Sequence, residues 1–253
     1  MQSQVLNRSS LVREDGTFRL DAEHYHQQFL NNREKLVRFG SVPLSDLISQ
    51  PVITGHTPSM KVESNYGGDI KFVKTDNLRA FRISGTFSHF LSLAGNAQIK
   101  RSSLVAGDVI ITIIGATHKI VGRTAIVRED DLPANINQNI ALIRLRDFQS
   151  PQFLSAYLNS KTGRLALWQL SRQTEQVNLN CREVEKVLIP CFSDELILEI
   201  ENTYNEGVAC DHLSRLAFKN AREYLLQEIG LVNWPPKHRP SFIRSFSEVS
   251  ASK

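Results

Sequence analysis

"GDVIITIIGATHKIVGRTAIV" (107–127) holds two β-branched runs on either side of a loop marked by Gly115 and Gly122. Runs of Val, Ile and Thr bounded by Gly and Asp are strand sequences. Two paired strands need only a short turn between them. This connection also carries Thr117, His118 and Lys119, so it has room to do more than reverse the chain. The neighbouring segments have the same period: "DIKFVKTDNL" (69–78) and "QNIALIRLR" (138–146) are short, β-branched and bounded by Asp or Asn.

The flanks are helical. "AEHYHQQFLNNREKLVRF" (22–39) spaces Tyr25, Phe29, Arg33 and Leu36 about one turn apart and stops at Gly40. "VPLSDLIS" (42–49) reads as a turn of helix capped by Ser45. "SPQFLSAYLNS" (150–160) puts Ser150 at a cap and Pro151 at the first helical position, with Gly163 as the expected interruption. Asn180, three residues before Glu183, starts a short helix that leads into the strand VLI. Strands and helices mixed in this way predict an α+β class.

The C-terminal element differs. From Ser193 to Gly230 apolar residues recur every three to five positions: Leu196, Ile200, Tyr204, Val208, Leu213, Leu216, Leu225 and Ile229. That stripe predicts one amphipathic helix roughly 57 Å long at 1.5 Å per residue, unless it breaks near Gly207. A helix of that length needs a long partner, as in a coiled coil. Beyond it, "VNWPPKHRPSFIRS" (232–245) is a proline-rich linker.

With 30 Lys+Arg against 26 Asp+Glu, the net charge of +4 is modest. Its distribution is uneven. Residues 61–128 carry ten basic side chains and four acidic ones, whereas 193–230 carry three basic and eight acidic. The two regions therefore suit different partners. No apolar run approaches a membrane span, and the N-terminus lacks the apolar core of a signal peptide, so the expected location is the cytoplasm. Cys181, Cys191 and Cys210 lack metal-site spacing. There is no glycine-rich phosphate or dinucleotide loop, no Glu-x-Lys nuclease pair and no Asn/Asp-Pro-Pro-aromatic tetrapeptide. These absences argue against an enzyme and against a resident metal or cofactor.

In order, "FRLDAEHYHQQFL" (18–30), "ITGHTPS" (53–59), "DIKFVKTDNL" (69–78), "LVAGDVIITIIGATHKIVGRTAIV" (104–127), "ANINQNIALIRL" (134–145), "FLSAYLNSKTGR" (153–164) and "VNLNCREVEKVLIP" (177–190) resemble the motif series of type I restriction–modification specificity subunits. The resemblance implies a target recognition domain over 42–192, after an N-terminal segment and helix (1–41). A spacer helix would follow over 193–231, and a linker over 232–253. It implies a non-catalytic protein that binds double-stranded DNA and positions methyltransferase subunits, which would hold S-adenosylmethionine, within a complex that also includes a restriction subunit. Such subunits carry two recognition domains, and the pattern here occurs once, with "SFIRSFSEVSASK" faintly echoing the start. A second specificity half, or self-dimerisation through Leu196, Ile200, Val208, Leu213, Leu216, Leu225 and Ile229, would supply the other.

On this reading the DNA-facing candidates are the polar turn Thr54, His56, Thr57 and Ser59, and the strand end Lys74, Thr75 and Asn77. The others are the basic pair Lys100 and Arg101, the loop residues Thr117, His118, Lys119 and Arg123, and the amides Asn137 and Gln138. Cationic side chains suit phosphates, and Asn and Gln suit adenine. The alternatives are a self-contained nuclease or methyltransferase with an unfamiliar site, and a helix-mediated assembly or inhibitory protein. Cofactor binding and salt-dependent DNA binding separate the three.

Overall fold

A computed structural model describes residues 21–147, 149–173 and 176–232. The fold is α+β. Six helices occur among the described residues: α1 (Gln27–Phe39), α2 (Leu93–Gln98), α3 (Pro151–Asn159), α4 (Lys161–Leu170), α5 (Cys181–Glu185) and α6 (Asp194–Glu228). The contacts separate two compact units between Tyr204 and Asn205, within α6.

The first unit is organised by a four-stranded antiparallel sheet in the order Ile53–Thr54, Ile140–Ile143, Val109–Thr112, Thr124–Ile126. Its two central strands are buried at every position. Alternate side chains enter different cores. Val109, Ile111, Ala141 and Ile143 pack with Leu154, Leu158 and Leu167 of α3 and α4. Ile110, Ile140 and Leu142 pack with Val73, Leu78, Ala125 and Ile136. Burial on both faces explains why "VIIT" and "IALI" read as continuous apolar runs.

The second core is closed by Tyr66–Val73, which pairs in parallel with Ala134–Ile136 and antiparallel with Phe90–Leu91. Asn135, fully buried, ties this sheet down. Its Nδ2 donates to Asn96 Oδ1 (2.8 Å) and Ile99 O (3.1 Å), and its Oδ1 accepts from Ser102 Oγ (2.8 Å). Smaller pairings join Ser41–Pro43 to Leu188–Pro190, Leu78–Arg79 to Arg82–Ile83, and Arg172–Gln173 through Val177–Asn178 to Ile114–Gly115.

Caps follow the sequence closely. Ser150 accepts from Phe153 N with Pro151 in the first turn, and Asn180 and Glu183 form a reciprocal capping box. Two local expectations fail. Residues 42–49 are not a Ser45-capped turn: Ser41–Pro43 is a strand, and a 3-10 turn at Leu44–Asp46 follows it. The break near Gly163 falls instead at Ser160, which caps α4 through Gly163 N. Gly163 is inside α4 because a Cβ there would stand 2.1 Å from the Tyr157 carbonyl oxygen.

α6 runs unbroken past Gly207. Its first three turns belong to the compact unit, where Ile197, Ile200 and Tyr204 pack against the core. Ile200 is half-buried there, packed partly against its own domain and partly lining an open apolar cleft. Leu196, at 38% exposed, stays near the surface. In the second unit the helix buries no residue: Leu213, Leu216, Leu225 and Ile229 are exposed and Val208 is half-buried. No helix among the described residues is long and apolar enough to cross a membrane. The proline-rich linker, apart from Val232, and the opening residues 18–20 of the first motif lie outside the described residues.

Two glycines test this architecture in opposite directions. A Cβ on Gly55 would lie 1.9 Å from the Ile136 carbonyl oxygen, whereas one on Gly207 meets nothing within 4 Å. Gly55→Ala should therefore lower the urea midpoint of the compact unit by the equivalent of about 2 kcal/mol or more, because backbone must move. Gly207→Ala should stabilise α6 by roughly 0.5–1 kcal/mol, read as a higher far-UV melting temperature. An unchanged midpoint for Gly55→Ala would show that the 53–55 strand does not pass this close.

Candidate nucleic-acid interface

Antiparallel pairing fixes where the loops go. The register sets Thr54 opposite Ala141, Ile140 opposite Thr112, and Ile111 opposite Thr124. Gly55, Asn139, Ile113 and Arg123 consequently leave the sheet at the same end. The parallel strands Tyr66–Val73 and Ala134–Ile136 deliver Lys74 and Asn137 to that end as well, and Asn137 N donates to Val73 O at 3.1 Å. Five segments distant in sequence thus converge.

Where they meet is an open cleft of about 460 Å³, lined by Lys74, Thr75, Asp76, Arg79, Ile120, Arg123, Asn137 and Asn139. The turn Asn137–Asn139 closes on itself, with Asn137 Oδ1 accepting from Asn139 N at 3.2 Å, and Asn139 O anchors Ile113 N at 2.9 Å. Thr57 Oγ1 donates to Gln138 Oε1 beside it. Gly55 is what lets the polar turn approach the 136–137 backbone so closely. Thr54 and His56 are exposed on that turn.

Burial and like charges together set the electrostatics. Burial lowers the Arg123 pKa, and the Arg79 guanidinium lowers it further. Burial also brings Arg164 down to about 10, with Arg123 contributing. Arg79, Arg123 and Arg164 thus form a row in which neighbouring cations oppose each other's charge. Neither Arg79 nor Arg123 has an acid within salt-bridge distance among the described residues. Asp76 is the one acid lining the cleft. Such a row favours negative charge beside it.

Several sequence candidates have structural duties. Asn77 is buried, accepting from Lys74 N (3.1 Å) and donating to Thr86 O (3.2 Å), so its amide holds the loop rather than facing outward. Lys74 reaches back to His89 Nδ1 at 2.7 Å. His118 is not an exposed tip. Its ring lies 5.2 Å from the Trp168 ring, and burial lowers its pKa, with Glu23 opposing and Arg164 adding to the shift. The loop is held from beneath by Arg164, whose Nη2 donates to the carbonyls of His118 (2.9 Å) and Lys119 (3.1 Å). Arg123 Nε donates to Lys119 O at 2.9 Å. Lys119 and Thr117 remain exposed, and Thr117 O closes the turn by accepting from Ile120 and Val121. Lys100 and Arg101 are exposed on a 3-10 turn and do not line the cleft, nor does Ser59.

Sequence reasoning missed Arg79, Ile120 and Arg164. Arg79 sits on a tight hairpin that has no glycine or asparagine to announce it. Arg164 reaches the loop from a helix some 45 residues on, and nothing in the sequence signals that contact.

No family model matches the chain. In sequence, 101 residues are 33% identical to the EcoBI specificity subunit of a type I restriction enzyme from Escherichia coli, a homologous stretch covering 39% of this chain and 20% of that protein. In structure, the chain superposes on the S subunit of a type I restriction–modification system from M. genitalium with a TM-score of 0.50 at 14% identity, over 75% of this chain and 43% of that one. It also superposes on the type IIG restriction endonuclease BpuSI with a TM-score of 0.52 at 10% identity, over 73% of this chain and 28% of that one. These superpositions show a shared fold. The chain spans less than half the length of each.

The packing of His118 has a pH signature. Its folded-state pKa lies below the unfolded value of about 6.5, so the neutral ring contributes its stability above that pH. The contribution is lost as the pH falls through the folded value. In a proton NMR titration the His118 ring should show a midpoint below about 6.5, and His118→Gln should flatten the loss of stability on acidification. A midpoint near that value would mean an exposed ring, and one above it would mean that the Glu23 carboxylate outweighs burial.

Proposed function

We propose that this chain is the DNA-recognition part of a type I restriction–modification specificity subunit, reading one half of a bipartite target and positioning the methyltransferase without catalysing a reaction itself. The carrying observation is the cleft where Lys74, Arg79 and Arg123 converge with the amides of Asn137 and Asn139 at one end of the central sheet. Cations would hold the backbone phosphates, while the amides would address base edges. The homologous stretch shared with the EcoBI specificity subunit supports this reading.

Within it, residues 42–192 serve as the recognition domain, 193–231 as the spacer helix and 232–253 as a linker. Methyltransferase subunits, carrying S-adenosylmethionine, and a restriction subunit are the protein partners, and the setting is the cytoplasm. Thr54, His56, Thr57, Gln138, Thr117 and Lys119 border the reading surface. Lys100 and Arg101 serve as peripheral phosphate contacts. His118 and Asn77 support the surface from below.

Fluorescence anisotropy with duplex DNA tests the proposal. Affinity should fall by orders of magnitude between about 50 and 200 mM salt, as counterion release requires. Arg79→Ala and Arg123→Ala should each weaken binding about ten-fold and reduce the salt slope by about one. Arg33→Ala, on α1, should leave both unchanged. Salt-independent binding, or arginine variants indistinguishable from wild type, would remove the cleft from DNA recognition.

The exposed apolar residues of the second unit carry the other half of the proposal. Leu213, Leu216, Leu225 and Ile229 are 46–63% exposed, a surface that favours association. A second copy or a second specificity half would cover it, in a two-fold arrangement for identical chains. Light scattering at tens of micromolar should give a dimer, the state expected for an interface of about −8 kcal/mol. A Leu213→Glu, Leu216→Glu variant should be monomeric. A monomeric wild type would defeat self-association.

A further inference from the structure

The hairpin that presents Arg79 is built in an unfavourable way. Leu78 pairs with Ile83 and Arg79 with Arg82, leaving a two-residue turn of Ala80 and Phe81. Phe81 has φ +69° and is the sole non-glycine residue with positive φ among the described residues. Glycine and asparagine are the usual occupants of such a turn position, since a Cβ there costs roughly 1–2 kcal/mol. A bulky aromatic side chain stays in this region only where its surroundings impose it.

Two hydrogen bonds grip the Phe81 peptide groups. Its N–H donates to Thr124 O at 2.8 Å, and its carbonyl accepts from Tyr204 Oη at 3.1 Å. The Phe81 and Tyr204 rings meet edge to face, with centroids 5.9 Å apart at 70°. Thr124 is itself immobilised: its carbonyl and hydroxyl accept from Asn159 Nδ2 at 3.0 and 2.7 Å, and its N–H donates to Asn159 Oδ1 at 3.3 Å. Thr124 directly follows Arg123, which faces Arg79 in the cleft. Tyr204 lies in the third turn of α6, inside the compact unit. Tyr204 is half-buried; burial raises its pKa, while hydrogen bonding with Ser155 and the Ile126 backbone and the nearby Arg128 oppose that rise.

We infer that Tyr204 is a positioning residue for the cleft: its hydroxyl holds the strained Phe81 turn, and through it sets the place of Arg79 opposite Arg123. This rests on the DNA reading of the cleft. Without the hydroxyl bond the turn relaxes toward the ordinary region, and Arg79 spreads over several positions. Ordering it again on DNA then lowers affinity. The helix thereby contributes to recognition without touching the ligand.

A double-variant cycle tests this, using duplex DNA anisotropy at low salt on the full chain. Tyr204→Phe keeps the ring and its packing, and should weaken binding roughly three- to ten-fold, the worth of one hydrogen bond, with little change in thermal midpoint. Arg79→Ala should weaken binding and lower the salt slope by about one. The double variant should bind no more weakly than Arg79→Ala alone, because on this inference the hydroxyl reaches the DNA through the Phe81 turn and Arg79, and not through its Ser155 and Ile126 neighbours. Wild-type affinity for Tyr204→Phe, or losses that add independently, would overturn the inference while leaving the DNA reading intact. An Arg79→Ala variant that binds like wild type would instead show that the cleft does not meet DNA, and would take the inference with it.

Discussion

The compact unit depends on one constraint: the strands Val109–Thr112 and Ile140–Ile143 are buried on both faces. Strands in that position cannot turn a polar side to water, so their backbone groups must all be paired within the sheet. Pairing fixes register, and a slip of one residue would exchange the two cores side chain for side chain. The helices α3 and α4 cover one face and the Tyr66–Val73 sheet covers the other, which leaves the sheet's two ends as its wet boundaries. Within this sheet, loops and charged side chains are therefore left to those ends.

The two ends treat charge differently. At one, Asp108 and Arg144 form a bidentate pair, with Nε–Oδ1 and Nη2–Oδ2 both at 2.7 Å, and Asp108 also accepts from Val105 N at 2.8 Å. Hydrogen bonding to Asp108 raises the Arg144 pKa, so this is a closed ion pair that needs no further partner. At the other, Arg123 and Arg164 have their pKa values lowered, first by burial and then by a neighbouring arginine, Arg79 and Arg123 respectively. Similar residues are a staple at one end and an open demand for negative charge at the other. A chain with so small a net excess of positive charge can still present a strongly cationic cleft, because clustering matters more than the total.

The sequence was most legible where local physics decides. The helix caps at Ser150 and Asn180, the apolar strands and the uninterrupted course of α6 all follow from side chains acting on their own neighbours. It was least legible where distant segments decide. Ala134–Ile136 centres on an asparagine, a residue that strands disfavour, yet it is a buried parallel strand because Asn96, Ile99 and Ser102 satisfy Asn135 from outside. Asn77 and His118 carry polar atoms that suggest readout, but their neighbours use those side chains for support. Arg79 is the reverse case, an ordinary arginine in "NLRAFRI" that becomes a cleft residue only through a turn the sequence does not favour. Ile200 shows the same limit on α6. Its spacing fits the exposed stripe, while its position in the second turn sets it against the core.

The loop between Gly115 and Gly122 follows from the same logic. A Cβ on Gly115 would lie 2.8 Å from Ile120 Cγ2, and Gly122, at φ +85°, passes 3.0 Å from Leu167 Cδ1 by the same measure. Both glycines therefore serve packing against the loop and α4, not freedom of movement. Arg164 then draws the His118 and Lys119 carbonyls down onto the helix. A loop fastened at both glycines and at its crest holds Ile120 and Arg123 in the cleft wall at fixed positions, so less order is lost when a ligand binds. Its most conspicuous side chain, His118, is the one turned inward. The loop places Arg123 beside Arg79, and on the proposed reading its contribution to DNA contact includes this residue away from its tip.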